Sequence, residues 1–342
     1  MSLPLTIICV VLIFGFIIFI HELGHFTVAK LCGALVHEFS LGMGPALLKK
    51  QWGETTYALR LLPIGGFVAV EGEDEDSDNE RAINRKPVWQ RILFVAAGAF
   101  MNVLLGFILM VIIVAGQELV STTIVAQFNE GATSSQVLQV GDEILKINGE
   151  SISIGNDIVF ELISVGEEPI DLTIRRDGEI MELTNVPFPM ETVDGITMPT
   201  MDFLVYGQEK TVFGTLKEAW HMTTGVVKQV WDSFFKLITG QYKVQQLSGP
   251  VGVSTAIGEA AAVGTENLLL MVAFITINIG VFNLIPLPAL DGGRLLFLLI
   301  EAVRGKPIPP KYEGYVHAAG LFLLLGLMIF VTFNDVVKLI FG

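Results

Sequence analysis

His21, Glu22 and His25 stand together in the stretch HELGH, directly after eighteen uncharged residues at 3–20. Two histidines four positions apart project from one face of a helix, so both imidazoles can bind one metal ion. The glutamate beside the first histidine can take a proton from a water molecule that the metal activates. The residue types and their spacing therefore predict a zinc site, with His21 and His25 as ligands and Glu22 as a general base for amide hydrolysis.

The position of the HELGH stretch strengthens this prediction. A pair of histidines on a helix often binds no metal, so the spacing alone is only moderately specific. Ionisable groups at the edge of a membrane span are costly, however, and they usually mark a functional site. We therefore favour a metal centre over histidines and a glutamate that serve only the structure.

A catalytic zinc ion needs a third protein ligand and leaves its fourth position open. His37, His221 and His317 are each isolated in the sequence. His317 begins the last apolar block, on the same side of the membrane as His25, but it has no companion polar residues. None of these three histidines is therefore a strong candidate for the third ligand.

Asp291 is a better candidate, because it closes the stretch NLIPLPALDGG at the end of another apolar block. Pro286 and Pro288 interrupt the helix there, and such breaks at membrane depth occur where the chain is buried or lines a wet cavity. The alternative is that Asp291 only caps the helix that follows, predicted at 294–303. Capping does not explain the cluster of Asn283 and the two prolines, so we favour Asp291 as the third metal ligand.

The composition indicates which elements hold these residues. The chain has 342 residues, of which 52% are hydrophobic and 16% charged, against roughly a quarter charged in soluble domains. The excess apolar residues form four blocks, each long enough to cross a bilayer as a helix. These blocks are 3–20, 92–116, 267–290 and 315–334. The sequence thus predicts an α-helical polytopic membrane protein with four transmembrane helices in a lipid bilayer.

The charge distribution predicts the topology. Of the 21 Lys and Arg residues, eight lie in 26–91 and four in 292–314, whereas 116–266 has eight basic and 21 acidic residues. Short basic loops stay in the cytoplasm, so the long acidic segment and both termini are expected outside. The HELGH and LDGG stretches then emerge together on the cytoplasmic side. The net charge of −14 gives no sign of a nucleic-acid partner.

The remaining segments predict four parts. Region 1–116 contains two spans joined by a glycine-punctuated strand pattern, which we expect to form a membrane-associated β element. Region 117–195 alternates strands and short helices, an extracytoplasmic α/β module whose open strand edge could take up a peptide. Region 196–266 is a linker with an amphipathic helix that lies either in the membrane interface or on the module. Region 267–342 holds the last two spans.

HELGH and NLIPLPALDGG resemble the paired motifs of the site-2 protease family, zinc metalloproteases that cleave other proteins within membrane spans. The stretches GMGP, LPIGGFV, AAGAFMN, LQVGDEILKING and LSGPVGV are similar to segments of its bacterial branch. That branch trims anti-sigma factors and leftover signal peptides. The resemblance covers most of the chain.

The resemblance implies roles for individual residues. His21, His25 and Asp291 would be the Zn²⁺ ligands, and Glu22 the catalytic base. Asn283 is similar to the family asparagine that helps to hold the substrate extended. The substrate-pairing β element would include Gly65, Gly66, Phe67 and Val68. The outside module resembles a PDZ domain, although well-known Gram-negative members carry two in tandem and this chain has room for one.

The resemblance thus implies a zinc endopeptidase of the bacterial inner membrane that cleaves single-span membrane proteins, usually after a first extracytoplasmic cut. Two other classes remain open. One is a transporter or channel with an intramembrane metal site, although matching broken helices in two halves are missing. The other is a PDZ-bearing membrane adaptor with a structural metal, against which an open fourth zinc position would argue.

Overall fold

The computed structural model describes residues 3–73, 75, 77–193, 196–242 and 247–341. The chain divides into two compact units, Met1–Gly106 with Ser248–Gly342, and Phe107–Leu247. The helices of the described residues are α1 (Leu3–Leu31), α2 (Val88–Gly116), α3 (Gly155–Val165), α4 (Val212–Ile238), α5 (Pro250–Val263), α6 (Thr265–Leu284), α7 (Asp291–Arg304) and α8 (Pro310–Phe341). The strands are β1 (Val36–Trp52), β2 (Thr55–Val70), β3 (Leu119–Phe128), β4 (Glu143–Ile147), β5 (Glu150–Ser151), β6 (Leu172–Arg176), β7 (Glu179–Leu183), β8 (Met190–Val193), β9 (Ile196–Pro199) and β10 (Phe203–Glu209).

Within the described residues, four helices are long and apolar enough to cross a membrane: Pro4–Leu31, Val88–Gly116, Thr265–Leu284 and Lys311–Lys338. The four predicted spans are therefore found, but several of their boundaries were wrong, and α8 at Pro310–Phe341 extends beyond the predicted 315–334 at both ends. Helix α1 continues to Leu31, so HELGH lies inside the helix rather than at its end. Helix α6 ends at Leu284 instead of residue 290, because Pro286 disfavours helix at the residue before it.

Helix α2 approaches both α1 and α6 closely, because glycines stand at the contacts. A Cβ atom at Gly24 of α1 would lie 2.4 Å from the carbonyl oxygen of Ala97, and one at Gly280 of α6 would lie 2.8 Å from that of Ala99. Small residues allow such backbone contacts between helices in a membrane. The AAGA segment of α2 is thereby fixed between the helix that carries the histidines and the helix that leads to Asp291.

Strands β1 and β2 fold into one antiparallel element in which β1 pairs with two parts of β2. Residues 36–41 lie between 66–70 on one side and 56–59 on the other, and 46–52 pairs with 55–60. Segment 66–70 therefore has a free edge, with no further strand beside it in the described chain. The predicted β element between the first two spans is present.

Helix α5 is held at its amino terminus by a residue from α8. Oδ1 of Asp335 accepts a hydrogen bond from the backbone N–H of Gly249 at 3.1 Å, and its Oδ2 accepts one from Gly252 at 2.8 Å. The first N–H groups of a helix lack intrahelical partners, and its dipole favours a negative charge there. Asp335, which is buried, thus caps α5 from another element.

The second unit contains an antiparallel sheet of order β10-β3-β4-β6-β7, with β5 paired to β4. Asp177 and Gly178 connect β6 and β7, and both have positive φ angles, as a two-residue hairpin of type I′ requires. The core between the sheet and α3 includes Ile144, Ile158 and Ile174. The module boundary predicted at residue 195 was wrong, because β10 completes the sheet by pairing with β3.

Helix α4 confirms the predicted amphipathic helix, and it packs on the α/β module. Its buried face includes Ala219, Met222 and Val226, and the helix contacts α3 and β3. Glu218 on this face accepts a hydrogen bond from Ser121 at 2.8 Å. Burial raises the pKa of the Glu218 carboxyl group above its ordinary value, although the bond from Ser121 opposes this. Of the two alternatives for this helix, packing on the module is therefore found.

Candidate metal centre

Three ligand atoms converge at the centre of the first unit. Nε2 of His21 lies 3.1 Å from Nε2 of His25. Oδ2 of Asp291 lies 3.2 Å from the first of these nitrogens and 3.4 Å from the second. The histidine pair comes from one face of α1, as its spacing predicts, and the aspartate from the start of α7. These residues form a group that could hold a metal ion.

The size of this triangle fits zinc. With ligand distances of about 2.0–2.1 Å, the ligand atoms of a tetrahedral zinc site lie about 3.3 Å apart. Oδ2 of Asp291 is buried and has no hydrogen-bond partner among the described residues. A buried carboxylate oxygen that faces two imidazole nitrogens without a hydrogen bond is the arrangement expected of a metal ligand.

A break in the chain between α6 and α7 positions Asp291. Residues 285–290 are not helical, and Ala289 adopts a left-handed conformation with φ of 71°. Leu290 occupies the N-cap position and Asp291 is the first residue of α7, with no side-chain capping bond. The capping alternative for Asp291 was therefore wrong. A Cβ atom at Gly292 would lie 2.0 Å from the carbonyl oxygen of Ile285, so only glycine allows this close turn.

The carboxyl group of Asp291 is held in its ionised form. Burial by itself raises its pKa, but the interaction of its carboxylate with the imidazoles of His21 and His25 outweighs this effect and lowers the pKa below its ordinary value. An ionised carboxylate is the form that ligates metal.

Helix α2 forms the wall behind both histidines. A Cβ atom at Gly98 would lie 2.3 Å from Nε2 of His25 and 2.6 Å from Cε1 of His21. Contacts this short do not occur, so the imidazoles occupy space that only a glycine leaves. Nδ1 of His25 also donates a hydrogen bond to the carbonyl oxygen of Phe94 at 2.9 Å. This bond leaves Nε2 of His25 as the nitrogen that faces the other ligand atoms.

The three candidate ligands and Glu22 line a cavity of about 1020 Å³ together with the edge segment 66–70. A Cβ atom at Gly66 would lie 3.0 Å from Cγ of Glu22, so the free strand edge and the candidate base are neighbours. Phe67 and Val68 also line this cavity. A strand edge, a carboxylate and a possible metal site therefore face the same space.

Two of the predicted substrate-binding residues lie outside this lining. Gly65 precedes the edge segment, has φ of 80° and contacts Met43 rather than the cavity. Asn283 lies half-buried in the last turn of α6, one residue before the helix ends. The structure therefore brings together Glu22, Gly66, Phe67, Val68 and the three candidate ligands, but neither Gly65 nor Asn283.

Sequence reasoning missed the contributions of His317, Gly98 and Asn102. His317 was set aside as isolated, yet it lines the cavity, and its Nδ1 accepts a hydrogen bond at 3.0 Å from the N–H of Ala289. It thus supports the left-handed residue two positions before Asp291. No sequence pattern predicts a contact between residues 289 and 317. For Gly98 and Asn102 a signal was available, since a glycine and an amide are unusual inside an apolar span.

The comparisons with known proteins agree with this geometry. The sequence profile of peptidase family M50 matches residues 9–327. The chain belongs to peptidase family M50, the site-2 protease family. A Clostridium perfringens protein, provisionally named zinc metalloprotease CPE1693, is 36% identical over 97% of this chain and 98% of its own length. The regulator of sigma-W protease RasP from Bacillus subtilis is 32% identical over 98% and 99%, respectively. The zinc metalloprotease RasP from Geobacillus kaustophilus is 32% identical over 97% and 98%.

Membership in family M50 establishes the class of activity. The chain is a zinc metalloprotease, and its four apolar helices make it a multi-pass membrane protein. This confirms the enzyme and the Zn²⁺ cofactor that the sequence predicts, and it does not favour the transporter or the adaptor.

Proposed function

We propose that this M50 peptidase cleaves transmembrane segments of single-span membrane proteins, with His21, His25 and Asp291 as the zinc ligands and Glu22 as the general base. The observation that carries the proposal is the common cavity: three convergent ligand atoms, a carboxylate and a free strand edge face one space. Zinc would polarise the scissile carbonyl group and favour deprotonation of water when it is bound.

Glu22 performs the proton transfers in this mechanism. Its carboxylate takes a proton from the attacking water, whose oxygen forms a bond to the carbonyl carbon of the substrate. The same carboxyl group then gives that proton to the amide nitrogen as the C–N bond breaks, so that one amine and one carboxylic acid result, and the acid's remaining proton passes to the amine. Packing of the His21 and His25 rings against Gly98 of α2 keeps the ligand nitrogens in place throughout.

The free edge of 66–70 provides the binding mode for the substrate. An amide in a membrane helix is shielded by its own hydrogen bonds, so the substrate must unwind before it is cut. Each unpaired amide in lipid costs several kcal/mol, and an edge strand offers replacement hydrogen bonds. Asn283, at the end of α6, would donate or accept further bonds to an extended substrate. Loss of cleavage with zinc retained in Asn283→Ala would support this role.

The substrate class follows from the relatives and from the charge distribution. The Bacillus subtilis relative is named for regulation of sigma-W, which suggests an anti-sigma factor, or a signal-peptide remnant, as substrate here. The basic loops at 26–91 and 292–314 support a bacterial inner-membrane location with the metal centre toward the cytoplasm and both termini outside. The sheet module of the second unit would then be an extracytoplasmic PDZ domain that takes up a peptide or excludes bulky ectodomains.

The ligand assignment is tested by metal content and cleavage together. We expect His21→Ala, His25→Ala and Asp291→Ala each to lose most bound zinc and all measurable cleavage of a single-span substrate. His221→Ala, in the second unit and outside the cavity, is the matched control and should retain both. Full zinc occupancy in the Asp291 variant would remove that residue from the site.

The role of the module is tested by its excision. Leu119, the first residue of β3, pairs with Glu209, the last residue of β10. Nζ of Lys210 donates hydrogen bonds to the carbonyl oxygens of Ala115 and Gln117. The module therefore begins and ends at neighbouring points, so residues 119–209 can be replaced by a short linker. If the module excludes bulky substrates, the excised enzyme should keep its zinc and cleave a substrate whose ectodomain is intact. Loss of cleavage of pre-trimmed substrates, with zinc retained, would indicate a docking site instead.

A further inference from the structure

Asn102 places an amide beside the metal centre from the middle of α2. The side chain is fully buried, and its Nδ2 lies 3.4 Å from Nδ1 of His21. Its Oδ1 is buried and has no hydrogen-bond partner among the described residues. Asn102 follows Gly98 by one helical turn, so the glycine that makes room for the imidazoles and the amide face the same side of α2.

The hydrogen bond made by His25 indicates which tautomer His21 needs in order to bind zinc. Nδ1 of His25 donates its proton to the carbonyl oxygen of Phe94, and its Nε2 faces the ligand triangle. Nε2 of His21 faces the same triangle, so its neutral ring must also carry the proton on Nδ1. A buried N–H group needs an acceptor, and an amide nitrogen cannot accept.

Rotation of the Asn102 amide by 180° about its terminal bond exchanges oxygen and nitrogen at the same two positions. The oxygen then lies next to Nδ1 of His21 and pairs with its proton. We propose that Asn102 is a positioning residue of the metal centre, whose Oδ1 accepts the Nδ1–H of His21 and keeps Nε2 free for zinc. The proposal rests on the assignment of His21 as a zinc ligand.

Helix α2 would then provide an acceptor for each ligating histidine, the carbonyl of Phe94 for His25 and the side chain of Asn102 for His21. Asn102 is also connected to the other side of the site. Its backbone carbonyl oxygen accepts a hydrogen bond from Oγ1 of Thr276 on α6 at 3.2 Å, and both residues are fully buried. The helix that leads to Asp291 and the acceptor of His21 thus meet at one residue.

A purely structural role for Asn102, as a polar contact between membrane helices, predicts different behaviour. Packing depends on the volume of the side chain, whereas the proposed role depends on an acceptor oxygen. Asn102→Leu keeps the branched shape and the number of side-chain heavy atoms and removes the acceptor. Asn102→Asp keeps the volume and retains the acceptor, as in the carboxylate–histidine–zinc arrangement of many zinc proteins.

The test measures zinc affinity of the full-length protein, by competition with a chelator of known affinity, for both variants and the wild type. Loss of a partner that orients a metal-ligating histidine typically costs 10–100-fold in metal affinity, and we expect this loss for Asn102→Leu. Asn102→Asp should remain within a few-fold of the wild type. Thr223→Val, a matched buried control that removes a helix hydroxyl group bonded to the carbonyl oxygen of Ala219 on α4, should also remain there.

Two results would overturn the proposal: an Asn102→Leu protein with wild-type zinc affinity, or equal losses in the Leu and Asp variants. If Asn102→Leu does not fold, Asn102→Ala replaces it with the same expected loss. A wild-type protein that binds no zinc would instead refute the proposed ligand set, so the two failures are distinguishable.

Discussion

Replacement of Gly98 by alanine is a sharp test of the metal centre, because it adds one methyl group at its wall. The new Cβ atom would lie 2.3 Å from Nε2 of His25 and 2.7 Å from Nε2 of His21, where ordinary contact begins near 3.4 Å. Relief of the shorter contact alone requires a displacement of about 1.1 Å, from 2.3 to 3.4 Å. Zinc sites hold their ligands within about 0.2 Å of the preferred distance, so this displacement cannot be absorbed.

The surrounding contacts prevent the imidazole rings from moving away from a side chain at position 98. Nδ1 of His25 is hydrogen-bonded to Phe94 on α2 itself, and α1 touches α2 at Gly24 with no room for a side chain. We therefore expect Gly98→Ala to lower zinc affinity by about 100-fold, the upper end of the loss that follows when the groups that orient metal ligands are changed.

The assay is zinc content and chelator competition on purified protein, with the thermal transition as a check on folding. Gly15→Ala on α1 is the control, because a Cβ atom at that mid-helix glycine meets nothing within 4 Å. It should bind zinc as the wild type does. A Gly98→Ala protein with wild-type zinc affinity would show that the histidines do not ligate in this arrangement, and would refute the reasoning.

Three further predictions concern other parts of the molecule. Gly66→Val, whose branched side chain would press on Glu22, should lower cleavage at least about tenfold with zinc content unchanged, because the added side chain meets Glu22, Ile18 and Ser40 rather than the candidate ligands. Asp335→Ala should lower the free energy of unfolding by about 2 kcal/mol in a thermal or denaturant titration, because two N–H groups of α5 lose their acceptor. Burial raises the pKa of Glu218, so stability is lost as the pH rises from 4.5 through the raised pKa. Glu218→Gln, which still accepts from Ser121, should therefore raise the melting temperature at pH 8 and show no gain at pH 4.

The sequence predicted the parts of the site that depend on local spacing. His21 and His25 share a helix face because they are four residues apart, and Asp291 follows a proline-broken span. The triangle of ligand atoms agrees with both expectations. The apolar blocks located the four spans for the same reason, since a bilayer imposes one length and one composition on every helix that crosses it.

Contacts between distant segments were not predictable in this way. The fit of Gly98 against the imidazoles depends on how closely α2 packs on α1. The sequence shows a glycine in an apolar span but does not indicate which helix packs against it. His317 supports Ala289 across 28 positions of sequence. The pairing of β10 with β3 also extends the module past residue 195, because a sheet is completed by strands that are remote in sequence.

Boundaries failed where the hydrophobic pattern and the helix do not end together. Helix α1 continues through HELGH to Leu31 and ends before Gly33, which adopts a left-handed φ of 69°, because a fall in hydrophobicity does not by itself stop a helix. Helix α6 stops before its apolar block does, because proline ends the helix while the residues remain apolar.

The central claim is that Glu22 transfers the proton in a peptidase whose zinc is held by other residues, and Glu22→Gln tests it most directly. The amide keeps the size of the side chain but cannot accept a proton from water. We expect zinc to remain at about one ion per chain and cleavage of a single-span substrate to fall by at least about 10²–10⁴-fold. A Glu22→Gln enzyme that keeps its zinc and cleaves within a few-fold of the wild type would contradict the account.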